Sequence, residues 1–226
     1  MSNSCTLEDL KYELRAQLVS PEQTTPPPGI PTGWSELDRF LLWHGFPKGE
    51  VSLMVSEAGG ATTLWERSAA KITQQGQWVA WMNGPLSQLT PWSLRRRNVD
   101  LAKLLCVSQP GKGETDVKQT LWALQELMSL CLFELIGCDL GHTWLKEHQV
   151  LKLKKLAMRY QTGLVLFTAS ASVLKSSFYS LVLHFQKENV IVHRALHRPT
   201  PYPLERRALY ADTLPQLAAG RRALCG

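Results

Sequence analysis

The chain has 226 residues and a mass of 25.4 kDa, which is room for one substantial domain with small appendages and tight for two. Apolar residues make up 44%, enough for a real core, so global disorder is excluded. The 25 basic residues exceed the 19 acidic ones, giving a net charge of +6, a mild excess that fits an acidic partner such as nucleic acid or an acidic protein surface.

Residues 6–19 read as a helix in which Leu7, Leu10, Leu14 and Leu18 share one face. It is followed by PEQTTPPPGIP (21–31), with five prolines in eleven residues, an extended and fairly stiff connector. An apolar stripe on such a tether must fold back or dock on another molecule, and in an oligomer the neighbouring copy is an acceptor. From residue 32 helices and strands alternate. Ser35 begins a short helix carrying Leu37, Phe40 and Leu41, then come a strand at 51–55, a helix at 62–75, and strands at 78–82 and 104–107. A helix over 114–129 turns Val117, Leu121, Leu124 and Met128 inward, and LCLFELI (130–136) is the fourth strand. A helix over 143–161 turns Val150, Leu153, Ala157 and Tyr160 inward, with a fifth strand at 163–169.

Strands apolar on both faces and separated by helices predict an α/β fold with a parallel sheet covered on both sides. FYSLVLHF (178–185) and VIVHRAL (190–196), joined by QKEN, predict a closing antiparallel hairpin. The division expected is a docking helix (1–20), a linker (21–31), a core (32–198) and a basic, irregular, proline-containing tail (199–226) with Arg206, Arg207, Arg221 and Arg222. Five scattered cysteines without CxxC spacing predict free thiols, with neither a disulfide framework nor a zinc site. The first residues do not read as a signal peptide, and no apolar run approaches the roughly 20 residues of a bilayer span. The expectation is a soluble cytoplasmic protein with no membrane contact.

The most informative segment is strand VSLMV followed by Ser56-Glu57-Ala58-Gly59-Gly60-Ala61-Thr62-Thr63 and a helix. A phosphate loop sits at such a junction, where free backbone amides and the helix N-terminus favour an anion. Against the pattern GxxxxGK[ST], Gly60 and Thr62 stand, the first glycine position is Val55 and the lysine position is Ala61. The charge-assisted contact to the outer phosphates is therefore lost. No cofactor is expected at Val55, Gly59, Gly60, Ala61 and Thr62.

Around this loop the chain resembles the bacterial recombinase RecA and its relatives. Ile30, Thr32, Gly33, Leu37, Asp38, Gly45, Phe46, Pro47 and Gly49 match that family's approach to the phosphate-loop strand. LLCVSQPGKGE (104–114) and FYSLVLHFQ (178–186) are similar to two later segments, so the resemblance runs from about 30 to 197 and implies a RecA-like P-loop-type fold. Several parts of an ATP-driven DNA machine depart from the family. The strand LCLFELI stops short of an acidic residue, leaving Asp139 beyond its end. NGPLSQLTP has no carboxylate where the family's catalytic Glu follows the second strand, and both DNA-loop regions are short. This combination implies a catalytically silent domain, with no catalytic residues and no metal, kept for its surfaces.

Size, N-terminal helix, proline-rich connector, degenerate loop and basic tail resemble the ImuA family, with the cell-division inhibitor SulA as an alternative relative. The ImuA resemblance implies an accessory role in DNA-damage-induced mutagenesis and translesion synthesis, within the SOS response. Its implied partners are further copies of itself, an ImuB-type polymerase homologue, RecA and an error-prone replicative polymerase subunit. The competing readings are an ATPase using an atypical basic residue such as Lys112 or a neighbouring subunit's Arg, and a DNA-binding module running on basic patches. DNA contact is expected to be weak or indirect, with Arg95, Arg96 and Arg97 as its candidates. Partner-binding candidates are Leu7, Leu10, Leu14, Leu18, Arg206, Arg207, Arg221, Arg222, and Trp34 and Trp43 beside the linker; the eight tryptophans are otherwise expected mostly in the core.

Overall fold

The computed structural model describes residues 29–56, 59–84, 89–108, 116–172, 178–195 and 202–205. Strands β1 (Val51–Ser56), β2 (Trp78–Asn83), β3 (Leu104–Ser108), β4 (Phe133–Asp139), β5 (Gly163–Thr168), β6 (Leu181–Phe185), β7 (Asn189–Ala195) and β8 (Tyr202–Glu205) make one sheet. Their order is β3-β2-β4-β5-β1-β6-β7-β8. All pairings from β3 across to β6 are parallel, and β6–β7 and β7–β8 are antiparallel. The helices are α1 (Ser35–Phe40), α2 (Ala61–Gln74), α3 (Pro91–Arg96), α4 (Val117–Ser129) and α5 (Glu147–Tyr160). The expected α/β architecture with its antiparallel hairpin is therefore present. Among the described residues no helix is long and apolar enough to cross a membrane.

Two apolar layers follow from the period-two alternation of the strands. Met54, Trp81 and Phe167 point to one face, where Leu37 of α1, Leu64 and Ile72 of α2 and Leu94 of α3 meet them. Leu53, Ala80 and Leu166 point to the other, against Leu124 of α4 and Leu153 of α5. Val150, Leu153 and Ala157 are buried as their helical spacing predicts.

The motif Ile30…Thr32-Gly33…Leu37-Asp38 is structural. Asp38 Oδ1 accepts from Thr32 N (3.0 Å) and Thr32 Oγ1 (2.7 Å), and Leu37 is fully buried. Ile30 bridges to Phe46, so closely that a Cβ on Gly45 would lie 2.0 Å from the Ile30 carbonyl oxygen. Trp34 and Trp43, 1% and 7% exposed, belong to the core in this entry segment, which corrects their assignment as partner-binding residues. Exposed tryptophans lie elsewhere: Trp92, Trp122 and Trp144.

Three boundaries also differ from expectation. α4 runs to Ser129 and the chain turns at Cys131 (φ 52°), so Leu130, Cys131 and Leu132 are exposed and the strand begins at Phe133. It consequently ends at Asp139, not before Gly137. The segment after residue 199 is not wholly an irregular tail, because Tyr202–Glu205 adds a strand to the sheet. Pro203 fits there because a margin strand needs no donor on its outer side. Val55 lies within β1, paired with Thr168 and His184, so its extended backbone requires no glycine.

Gly137 makes room for an aromatic stack beneath α2. Trp65 and Trp81 have ring centroids 4.7 Å apart, and Trp81 meets Phe167 edge-on at 4.9 Å. A Cβ at Gly137 would lie 2.4 and 2.6 Å from two carbons of the Trp81 ring and 2.7 Å from Trp65 Nε1. Gly137→Ala is expected to cost about 1–3 kcal/mol by overpacking, read by urea denaturation. An unchanged midpoint would show that the stack has slack.

Candidate functional site

The carboxyl ends of the parallel strands meet the start of α2, the place where sheets of this kind bind ligands. From one margin inward these ends supply Ser108 of β3, Asn83 of β2, Asp139 of β4, Thr168 of β5 and Ser56 of β1. By strand alternation Ser56, Asn83 and Asp139 point to the face that α2 covers, with Met54 and Trp81. Two strand spacings, roughly 10 Å, separate the β1 and β4 ends, with β5 between them.

The turn from β1 into α2 is glycine-built. Gly59 (φ 75°) and Gly60 (φ 96°) both occupy the left-handed region, and Gly60 is the N-cap of α2. As the N-cap, Gly60 has no side chain to cap the first amides of the helix. Ala61 opens the helix with its methyl group buried, 4% exposed, and Thr62 and Thr63 follow it half-buried. Two left-handed glycines thus lead into a helix whose first side chain is a buried methyl group.

Asp139 is at a strand end, but its carboxylate is occupied. Oδ1 accepts from the Gly141 amide at 2.8 Å, closing the turn that leaves β4, and the side chain is 1% exposed. The main chain leaving β2 lies directly upon it: a Cβ on Gly84 would be 2.1 Å from the Asp139 carbonyl oxygen and 2.8 Å from its Cγ. Thr168 Oγ1 reinforces the same turn, donating toward the carbonyls of Gly141 (3.1 Å) and Thr143 (3.2 Å). One oxygen of this carboxylate is thus tied to the turn that leaves its own strand. Asn83 stands at the end of β2, its Nδ2 donating to Ser108 Oγ at 3.2 Å, and an amide has no basicity with which to activate water.

Of the three arginines, Arg95 and Arg96 are exposed, while Arg97 is partly buried and ion-paired. Arg97 Nε donates to Glu66 Oε2 at 2.6 Å, and its side chain is 18% exposed against 7% for Glu66. Ser93 Oγ donates to the other Glu66 oxygen at 2.6 Å, and an Arg97 terminal nitrogen reaches Thr63 Oγ1 at 3.5 Å. The pair fastens α3 to α2 and corrects Arg97 as a nucleic-acid contact. The sequence offered no local signal for this, since the partners are 31 residues apart.

His193 of β7 lies beside His184 of β6, ring centroids 5.6 Å apart; burial and that neighbour hold its pKa below the ordinary imidazole value. Among the described residues there is no group of three side chains able to hold a metal ion. Leu7, Leu10, Leu14 and Leu18, the arginines Arg206, Arg207, Arg221 and Arg222, and Lys112 all lie outside the described residues. Comparison with models of known protein families gave no match, and a search of curated proteins gave none either.

Proposed function

We propose that this chain is a nucleotide-silent RecA-like scaffold of the ImuA kind, an accessory protein in DNA-damage-induced mutagenesis. It acts by self-association and by binding an ImuB-type polymerase homologue, RecA or an error-prone replicative polymerase subunit, with DNA contact weak or indirect. What supports a RecA-like ancestry is the convergence of a glycine turn and an acid-ended strand on one face and one edge of the sheet, which a phosphate loop and its metal-holding acid require. What carries the silence is Ala61, buried at the first position of α2 where a cation would have to stand. The acid that does occupy its strand end, Asp139, is committed to the Gly141 amide, and Asn83 replaces a general base. Phosphoryl transfer draws its rate from positioning and charge stabilisation, and each of these groups has lost that capacity.

The competing reading, a residual nucleotide site, draws on Asp139 ending β4. Calorimetric titration of the full chain with ATP and magnesium separates the two. The expected result is no heat up to millimolar nucleotide; magnesium-dependent binding in the micromolar range would replace the scaffold reading with the nucleotide-site one.

A further inference from the structure

The two margins of the sheet are built differently. β8 is four residues long and carries Pro203, which removes one donor from the outer ladder. β3, at the other margin, is Leu104-Leu105-Cys106-Val107-Ser108, with no charge and no proline, and among the described residues β2 is its one strand neighbour. Leu105 is 37% exposed, and Cys106 and Ser108 also reach the surface. Lys103, just ahead of the strand, is drawn back over the Trp78 ring, its Nζ 5.0 Å from the centroid, so its charge is held against β2. Folded proteins guard an open margin with charge, proline, shortness or a cover, because its unpaired amides and carbonyls template another strand. β3 has neither charge nor proline and is one residue longer than β8.

We propose that β3 is a self-association edge, paired antiparallel with β3 of a second copy about a two-fold axis at Cys106. Such an axis makes one strand its own complement, with Leu104 opposite the partner's Ser108 and Leu105 opposite the partner's Val107. An uncharged strand meets its copy without like charges facing one another. Leu105 and Val107 point to the α4 side of the sheet, so each copy sets an apolar pair against the other's. The chain's own residues 21–31 make a poor alternative occupant, since five prolines leave that segment short of the donors a pairing strand needs. The inference stands on the two margins and is independent of whether the loop before α2 binds nucleotide.

The test uses the full chain. Light scattering over a concentration series is expected to show a monomer–dimer equilibrium that Leu105→Lys weakens at least tenfold, with the circular dichroism spectrum unchanged. Oxidation with diamide at pH 9, chosen because burial pushes the Cys106 thiol up, is expected to give a disulfide-linked dimer mapping to Cys106–Cys106. Both hydrogen-bonded and non-hydrogen-bonded antiparallel pairs bring Cα atoms within disulfide range. Cys106→Ser should remove the link and keep the non-covalent dimer. A strict monomer, a dimer indifferent to Leu105→Lys, or links that never pass through Cys106 would each overturn the proposal.

Discussion

Glu66→Ala is expected to lower the unfolding free energy by about 3–5 kcal/mol, because removing one member of a desolvated ion pair strands the other. The carboxylate accepts from Arg97 Nε and from Ser93 Oγ, both at 2.6 Å. The variant leaves the guanidinium without a counter-charge, with only the 3.5 Å approach to Thr63 Oγ1, and leaves the Ser93 hydroxyl to the Thr90 carbonyl. Adding Arg97→Met to Glu66→Ala should recover much of the loss, since an apolar side chain of similar length needs no counter-charge. Urea denaturation of the two single variants and the double variant gives the coupling. A loss under 1 kcal/mol for Glu66→Ala would mean that Arg97 is free to contact a phosphate after all. Single-stranded DNA binding, weak and salt-sensitive, is expected to fall in Arg95→Ala and Arg96→Ala and to be unchanged in Arg97→Met.

Trp34→Ala is expected to cost about 3–5 kcal/mol, the range for emptying a buried indole site. In a chain of this length that corresponds to a fall in Tm of roughly 6–20 °C. Trp34 is 1% exposed and belongs to the same core cluster as Leu37, Leu41 and Phe46 of the entry segment and Leu64 of α2. Trp34→Phe should cost much less, because it keeps most of the apolar contact and removes an indole N–H with no hydrogen-bond partner among the described residues. Thermal unfolding checks both, and an alanine variant that melts normally while losing a partner would return Trp34 to the surface.

The alternation of strands and helices was legible because each element carries its own period. Val150, Leu153 and Ala157 are buried at helical spacing, and Val51–Val55 is buried without a break, as a strand covered on both faces must be. The end of β4 was not legible for a related reason. Leu130 to Ile136 is a continuous apolar run, and nothing in such a run says where pairing starts; a turn at Cys131 moved the whole strand three residues along. That shift decides what stands at its carboxyl end, so the reading of Asp139 depended on a boundary that apolar patterning does not mark. β8 was hidden by Pro201 and Pro203, which argue against a strand everywhere except at a margin.

The loop was the clearest part of the candidate site, since Gly59, Gly60 and Ala61 occupy the turn and the first helical position that their order implies. Side-chain directions were the least clear. Three successive arginines on a helix are about 100° apart and cannot all face outward, yet only the distant Glu66 determines which one turns in. The tryptophans divide in the same manner. Trp34 and Trp43 follow a proline-rich linker and are buried, while Trp92, inside the core region, is 83% exposed at the start of α3.

Pro203 also bears on stoichiometry. Among the described residues Pro203 leaves the β8 rim one donor short, so copies joined at β3 as proposed would offer a third copy a poorer ladder there. The proposed pairing would then stop at two copies along that direction, and a longer polymer would need surfaces outside the described sheet.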